Sequence, residues 1–267
     1  MKIKILCSDL DGTLLTTKSD VSEVTIAEIG RIKNEVKVIL VSARMPNGMR
    51  YLQKRLKIND QPLICYNGAL ILDGEKEKLS VTIPLEIVAK IHQLSEPLKT
   101  DLGLYYKDEW YVPKDSERVQ KETLYTRTDP VFKSTLETLS DWETRDVSAH
   151  KIMLMGTKEG SDRLMPMLTD KFSSILNLYR SNDTLIEIAP KAVSKLKAIE
   201  LLLSGNETLD DVWAFGDNYN DMEMLKKCGL GIAVANAREE VKTIANHITL
   251  KNTENGVAHF LNQHLVI

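Results

Sequence analysis

A strand that hands two carboxylates to a glycine turn strongly constrains the fold around it. Ile3, Ile5, Leu6 and Cys7 form a short apolar run that continues into Asp9-Leu10-Asp11-Gly12-Thr13. Such a run reads as a buried strand, and Gly12 ends it. In an open α/β sheet, ligands bind at the carboxyl ends of the strands, so both acids are expected at that edge. Leu10 points to the opposite face, because side chains alternate along an extended segment. Two neighbouring carboxylates can hold a hard cation such as Mg²⁺, or divide the roles of nucleophile and proton carrier. They can equally be a polar strand exit, since Asp and Gly are ordinary turn residues.

A second exit of this kind lies far downstream. Val212 to Phe215 is apolar and runs into Gly216-Asp217, followed by Asn218, Asn220 and Asp221 and an amphipathic helix from about Asp221. If the two strands are parallel neighbours, Asp9 and Asp217 meet in an oxygen-rich pocket. Oxygen ligands without Cys or His suit Mg²⁺ better than zinc. Asn and Asp at a helix entry also serve as caps.

The apolar periodicity gives a helix at about 22–34, a strand at 37–42, a helix at 47–57, a strand at 62–66 and a hairpin at 69–73 and 79–83. Alternation resumes with a helix at 192–203, strand 211–215, helix 220–227, strand 231–234 and a last strand at 247–250. This is the α/β pattern of a doubly wound parallel sheet. Between the two halves, helices at 84–97 and 159–171 mix with strands at 103–112, 150–156, 175–180 and 184–188. Turn signals at Lys107-Asp108-Glu109 and Ser181-Asn182-Asp183 suggest antiparallel hairpins there. The expected organisation is a discontinuous core, 1–83 with 188–267, and an inserted α+β domain at 84–187.

A net charge of -3 gives no reason to expect nucleic acid or an anionic membrane as partner. No apolar run reaches the length of a membrane span, and the opening residues read as a strand rather than a signal peptide. Cys7, Cys65 and Cys228 show no metal spacing, and the first two lie in apolar strands, as buried reduced thiols do. A cytoplasmic location is expected.

Taken together, Asp9-Leu-Asp11-Gly-Thr13 and Gly216-Asp217-x-x-Asn220-Asp221 resemble the first and last motifs of the haloacid dehalogenase superfamily. Val38 to Arg44, a strand running into Ser42-Ala43-Arg44, is similar to the segment where that family holds phosphate with Thr or Ser. Glu187 to Lys195 resembles its lysine motif in the form of the Cof-type subgroup, subfamily IIB. Asn67-Gly68-Ala69 and the late Asn252 to Ala258 match that subgroup too.

The resemblance implies a Rossmann-like core with a C2-type cap at 84–187 and an Mg²⁺-dependent phosphatase acting through an aspartyl phosphate. By the same resemblance, Asp9 is the nucleophile and Asp11 the general acid and base. Mg²⁺ is held by Asp9, the Asp11 backbone carbonyl and Asp217, with Asp221 in support. Phosphate is held by Leu10, Ser42, Ala43, Lys195 and Asn220. Arg44 either reaches substrate or braces the loop. The expected substrate is a small phosphorylated metabolite such as a sugar phosphate, and the expected assembly a monomer or small homo-oligomer.

The chain departs from the subgroup by carrying Ala43, Ala192 and Leu196 where glycine is usual. Leu196 shares an apolar helical stripe with Val193, Ile199 and Leu203 and reads as core. Tyr105, Tyr106, Trp110, Tyr111 and Arg127 are candidates for a substrate pocket, although aromatic residues in strands commonly serve packing. A phosphomutase would use the same aspartate. A non-catalytic phosphometabolite-binding protein is expected to lose Asp9, Asp11 or Lys195, all of which are present.

Overall fold

A computed structural model describes residues 3–17 and 19–266. In chain order the first elements are β1 (Ile5–Asp9), α1 (Glu23–Ile32), β2 (Lys37–Val41), α2 (Asn47–Leu56), β3 (Leu63–Cys65), β4 (Leu70–Asp73) and β5 (Lys76–Ser80). Then follow α3 (Leu85–Ser95), β6 (Asp101–Tyr106), β7 (Glu109–Val112), α4 (Glu117–Thr126), β8 (Val131–Phe132), α5 (Thr135–Arg145), β9 (Lys151–Met155), α6 (Lys158–Phe172), β10 (Leu176–Asn182) and β11 (Leu185–Pro190). The chain ends with α7 (Lys195–Leu202), β12 (Val212–Gly216), α8 (Met222–Lys227), β13 (Leu230–Ala233), α9 (Glu239–Ile244), β14 (His247–Ile248) and α10 (Gly256–His264).

The chain divides into two compact units. The first combines the chain up to Leu79 with the chain from Ser194; the second is Ser80–Val193. The second unit is thus longer at both ends than the 84–187 expected. The reason at its end is β11, which hydrogen-bonds β9 and β10 along its length and so carries the chain to Pro190 within the second sheet.

In the first unit, eight strands run in the order β14-β13-β12-β1-β2-β3-β4-β5. Pairing is parallel from β14 to β3, and β4 returns antiparallel to β3. Alternation along the central strands buries both faces. Ile5, Cys7, Ile39, Val41, Val212 and Ala214 pack against Ala198 and Ile199 of α7 and Met224 and Leu225 of α8. Trp213 and Phe215, on the opposite phase, meet the ring of Phe260 in α10 edge-on at 5.7 Å. A parallel sheet needs cover on both sides, and this one has it.

In the second unit, six strands run β10-β11-β9-β6-β7-β8. Val88 and Ile91 of α3, Trp142 of α5, and Leu164, Leu168 and Phe172 of α6 cover one face, over Leu102, Leu104, Ile152, Leu154, Ile186 and Ile188. The opposite phase carries Tyr105, Trp110, Lys151, Met153 and Glu187. The stretch expected as strand at 103–112 is two strands, β6 and β7, turned at Lys107 with φ 49°.

Candidate active site

Four segments of the first unit meet at the carboxyl edge of its sheet. β1 and β12 are parallel neighbours, with Ser8 opposite Phe215, so the residues that follow each strand leave at the same edge. One carboxylate oxygen from each of Asp9, Asp217 and Asp221 lies within 4.8 Å of the others. Asp9 is 6% exposed and Asp221 is fully buried, so neither charge is relieved by solvent.

Lys195 enters this cluster from the first turn of α7, whose N-cap Ser194 accepts from the Lys197 N–H. Its Nζ donates to Asp9 Oδ1 at 2.5 Å and to Asp221 Oδ1 at 2.6 Å, with 1% of the side chain exposed. Burial would push the Lys195 ammonium down, but Asp221 and Asp9 outweigh it and hold it above the ordinary lysine value. Burial pushes the Asp9 carboxyl well up, and Asp221 and Asp217 add to this against the pull of Lys195. Asp217 is pushed up to about 6, first by burial and then by Asp221, while the Thr13 hydroxyl and Lys195 pull the other way. Three carboxylates against one ammonium leave an excess of negative charge. A divalent cation offsets that excess, and oxygen-only donors are what Mg²⁺ takes. The residues therefore fit an Mg²⁺ ion.

The loop after β1 turns sharply at Gly12, where φ is +86° and a Cβ would fall 2.6 Å from Asp217 Oδ2. Only glycine allows that turn and that approach together. Thr13 Oγ1 donates to Asp217 Oδ1 at 3.0 Å. Asn236 Nδ2 holds the Gly12 carbonyl at 2.8 Å, and Asn252 Nδ2 holds that of Leu15 at 2.8 Å. In the sequence Thr13, Asn67 and Asn252 stand out only as motif positions, and Asn236 does not stand out at all. Their sequence signal is weak, because each acts through contacts distant in the chain.

Among the other residues expected at the site, Asp11 lies outside the three-carboxylate group and is paired to Arg44. Arg44 Nε and Nη2 donate to its two oxygens at 2.7 and 2.6 Å, so Arg44 braces the loop. Asp221 accepts from the Asp217 and Asn218 N–H groups through Oδ2, at 2.9 and 3.0 Å, while its Oδ1 takes Lys195. It therefore orients the Asp217 loop as well as adding charge. Ser42 is buried and its Oγ accepts from the Arg44 N–H at 3.2 Å. Ala43 is not among the residues of positive φ, so its replacement of glycine asks nothing unusual of the backbone. Leu10 is buried in the turn after β1. Asn220 Nδ2 donates to Asn67 Oδ1 at 2.9 Å. Leu196 packs, partly buried, against the core beneath α7, as its stripe implied.

The candidate pocket residues of the second unit are mostly packing. Tyr105 and Trp110 are 2% and 1% exposed. Their rings stack at 5.4 Å. Tyr106 and Tyr111 meet Trp142 edge-on at 6.1 and 5.9 Å. Arg127 is exposed, at the left-handed end of α4.

Comparison with known proteins agrees with this geometry. The family model for haloacid dehalogenase-like hydrolases matches residues 6–261. A Haemophilus influenzae protein named "Putative phosphatase" is 34% identical over 270 residues, covering 98% of each chain. The Bacillus subtilis protein named "Putative phosphatase YxeH" is 29% identical over 97% of each. A haloacid dehalogenase-like hydrolase from Bacteroides thetaiotaomicron has the same fold, with a TM-score of 0.88 at 27% identity over 98% of this chain and 99% of that one. Among the described residues no helix is long and apolar enough to cross a membrane. With matching motifs, matching fold and a relative this similar along its whole length, the chain belongs to the Cof-type branch of the haloacid dehalogenase-like hydrolases.

Proposed function

We propose that this hydrolase is an Mg²⁺-dependent phosphatase that releases phosphate from small phosphorylated metabolites, sugar phosphates among them, through an aspartyl phosphate on Asp9. The observation that carries the reading is Lys195, fully buried and bridging Asp9 and Asp221 beside Asp217 at the carboxyl edge of β1 and β12. A buried lysine between carboxylates is a costly arrangement unless it serves charge that arrives with a ligand. The names of the relatives above support the same reading.

Asp9, the Asp11 carbonyl and Asp217 would hold the Mg²⁺, with Asp221 orienting them; when bound, the ion supplies positive charge for the phosphate oxygens. Lys195 takes Asp9 Oδ1, which leaves Oδ2 to attack phosphorus. As the O–P bond to Asp9 forms, the bond from phosphorus to the leaving oxygen breaks, and Asp11, swung off one of its Arg44 hydrogen bonds and carrying a proton, delivers that proton to the leaving oxygen. Asp11 then takes a proton from water, whose oxygen attacks the aspartyl phosphate and frees inorganic phosphate and Asp9. Leu10 and Ala43 N–H groups, the Ser42 hydroxyl, Lys195 and Asn220 stabilise the charge on the moving group, which is most of the catalysis in phosphoryl transfer. The second unit, which carries none of these residues, selects the substrate.

Phosphate release from a panel of esters, measured with Mg²⁺ and after chelation, tests this. Turnover of at least one ester is expected with Mg²⁺, and none in Asp9→Asn. Failure on the whole panel, or undiminished activity after chelation, rejects the reading.

A further inference from the structure

Tyr66, Asn67 and Gly68 have positive φ in succession, 53°, 57° and 100°. Asparagine tolerates this region, glycine takes it freely, and a bulky aromatic residue there is an outlier. Such backbone persists where its surroundings over-determine it, and it concentrates at functional sites. Here the surroundings are the other segments of the site. The Tyr66 N–H donates to the Arg44 carbonyl at 3.1 Å, and the Asn67 N–H to the Ser42 carbonyl at 2.9 Å. A Cβ on Gly68 would lie 2.5 Å from the carbonyl oxygen of Ser194, the residue before Lys195. The Asn67 side chain accepts from Asn220 at 2.9 Å. One left-handed turn therefore touches the segments that carry Ser42, Lys195 and Asn220.

We propose that Asn67 is a positioning residue whose side-chain oxygen orients the amide of Asn220 toward the phosphate. The inference rests on the proposed function, in which Asn220 contacts that phosphate. An amide nitrogen carries two hydrogens. Asn67 takes one of those on Asn220 and so fixes the amide plane, which holds the other in a single direction. The left-handed backbone brings the Asn67 side chain to Asn220, and asparagine is the side-chain-bearing residue best suited to that conformation. Backbone and side chain thus impose separate demands that one residue meets.

The test is the cost of Asn220→Ala, read as kcat/KM for a phosphate ester, in three backgrounds. In the wild type it is expected to be about tenfold, the size of one hydrogen bond to a charged group. In Asn67→Gly, which keeps the backbone conformation and removes the acceptor, kcat/KM itself falls about tenfold, and Asn220→Ala then costs almost nothing more. In Asn67→Asp, which keeps an acceptor oxygen, Asn220→Ala again costs about tenfold. The melting temperature and the Mg²⁺-induced stabilisation of Asn67→Gly stay near those of the wild type, since Asn67 is not one of the carboxylates. Wild-type activity in Asn67→Gly, or losses that multiply in the double variant, overturns the inference. If Asn67→Gly folds poorly, the Asp background decides: an Asn220→Ala substitution without cost there overturns it as well. A wild type that turns over no phosphate ester sinks the proposed function instead, so the two failures are distinct.

Discussion

Arg44 grips both carboxylate oxygens of Asp11, and the two partners differ sharply in exposure: 4% of the Arg44 side chain is exposed against 50% of Asp11. The buried partner is fixed and the exposed one can leave. In the proposed mechanism one of these hydrogen bonds must open before Asp11 can pass a proton to a leaving oxygen, and Arg44 would then return the carboxyl to place. Lysine cannot reproduce a two-point grip. Arg44→Lys is expected to lower kcat for alkyl phosphates by about tenfold and to affect aryl phosphates much less, since a good leaving group needs little protonation. Asp11→Asn should show the same bias more strongly. Equal losses on alkyl and aryl esters in both variants would remove Asp11 from the general-acid role.

Lys195 is placed to serve stability as well as the proposed chemistry. Removing it leaves Asp9 and Asp221 buried without their cation, an arrangement that typically costs about 3–5 kcal/mol. The Asp9 carboxyl, already pushed well up by burial, then favours the protonated form in the folded state still more. A group that binds protons more tightly folded than unfolded lowers stability as pH rises through its folded pKa. Lys195→Ala is therefore expected to lose more stability at pH 8 than at pH 5, measured by urea unfolding. Its kcat/KM should fall roughly ten- to a hundredfold, through loss of a charge-assisted hydrogen bond to phosphate. An equal stability loss at both pH values would contradict the charge argument.

The same sign governs the cation. Asp217 stands at about 6 because burial and then Asp221 disfavour its charge. Between the ordinary carboxylate value and about 6, the contribution of Asp217 to the stability of the metal-free protein falls as pH rises. An ion at Asp9 and Asp217 cancels that penalty but must displace protons to bind. Mg²⁺ at about a hundred times its dissociation constant contributes roughly 2.7 kcal/mol, or some 5–10 °C in a chain of this size. That shift is expected near pH 7.5 and should shrink below pH 6. A shift of equal size at pH 5 would show that the ion binds elsewhere.

The sequence was most legible where burial enforces a period. The central strands β1, β2 and β12 and the helix α7 follow from apolar spacing, and the meeting of Asp9 with Asp217 follows from strands that end alike. Apolar spacing does not reveal helices α4 and α5, because few of their buried positions are apolar: Val119 beside Thr126 in α4, and Trp142 beside Thr135 and Thr138 in α5. Serine caps mark their starts instead, Ser116 accepting from the Val119 N–H and Ser134 forming a capping box with Glu137. The sequence allows Arg44 either to reach substrate or to brace the loop, and local pattern contains nothing that decides between them. Asn67 and Asn220 lie 153 positions apart, so their contact exists only in the folded chain.

Trp110 shows how an aromatic residue in a strand is decided by its neighbours. Read from sequence, it was a candidate for substrate contact; in the structure it is 1% exposed and stacked on Tyr105 with an interplanar angle of 8°. Its indole N–H has no hydrogen-bond partner among the described residues. The residue therefore contributes ring area and no polar contact, and a phenyl ring should replace most of it. Trp110→Ala is expected to cost about 3–5 kcal/mol, and Trp110→Phe closer to about 1–2 kcal/mol, because only part of the buried ring is lost. Neither variant should reorder the ranking of phosphate esters, whereas both should lower the melting temperature in that order. A changed substrate ranking in Trp110→Phe, with stability intact, would return Trp110 to the pocket.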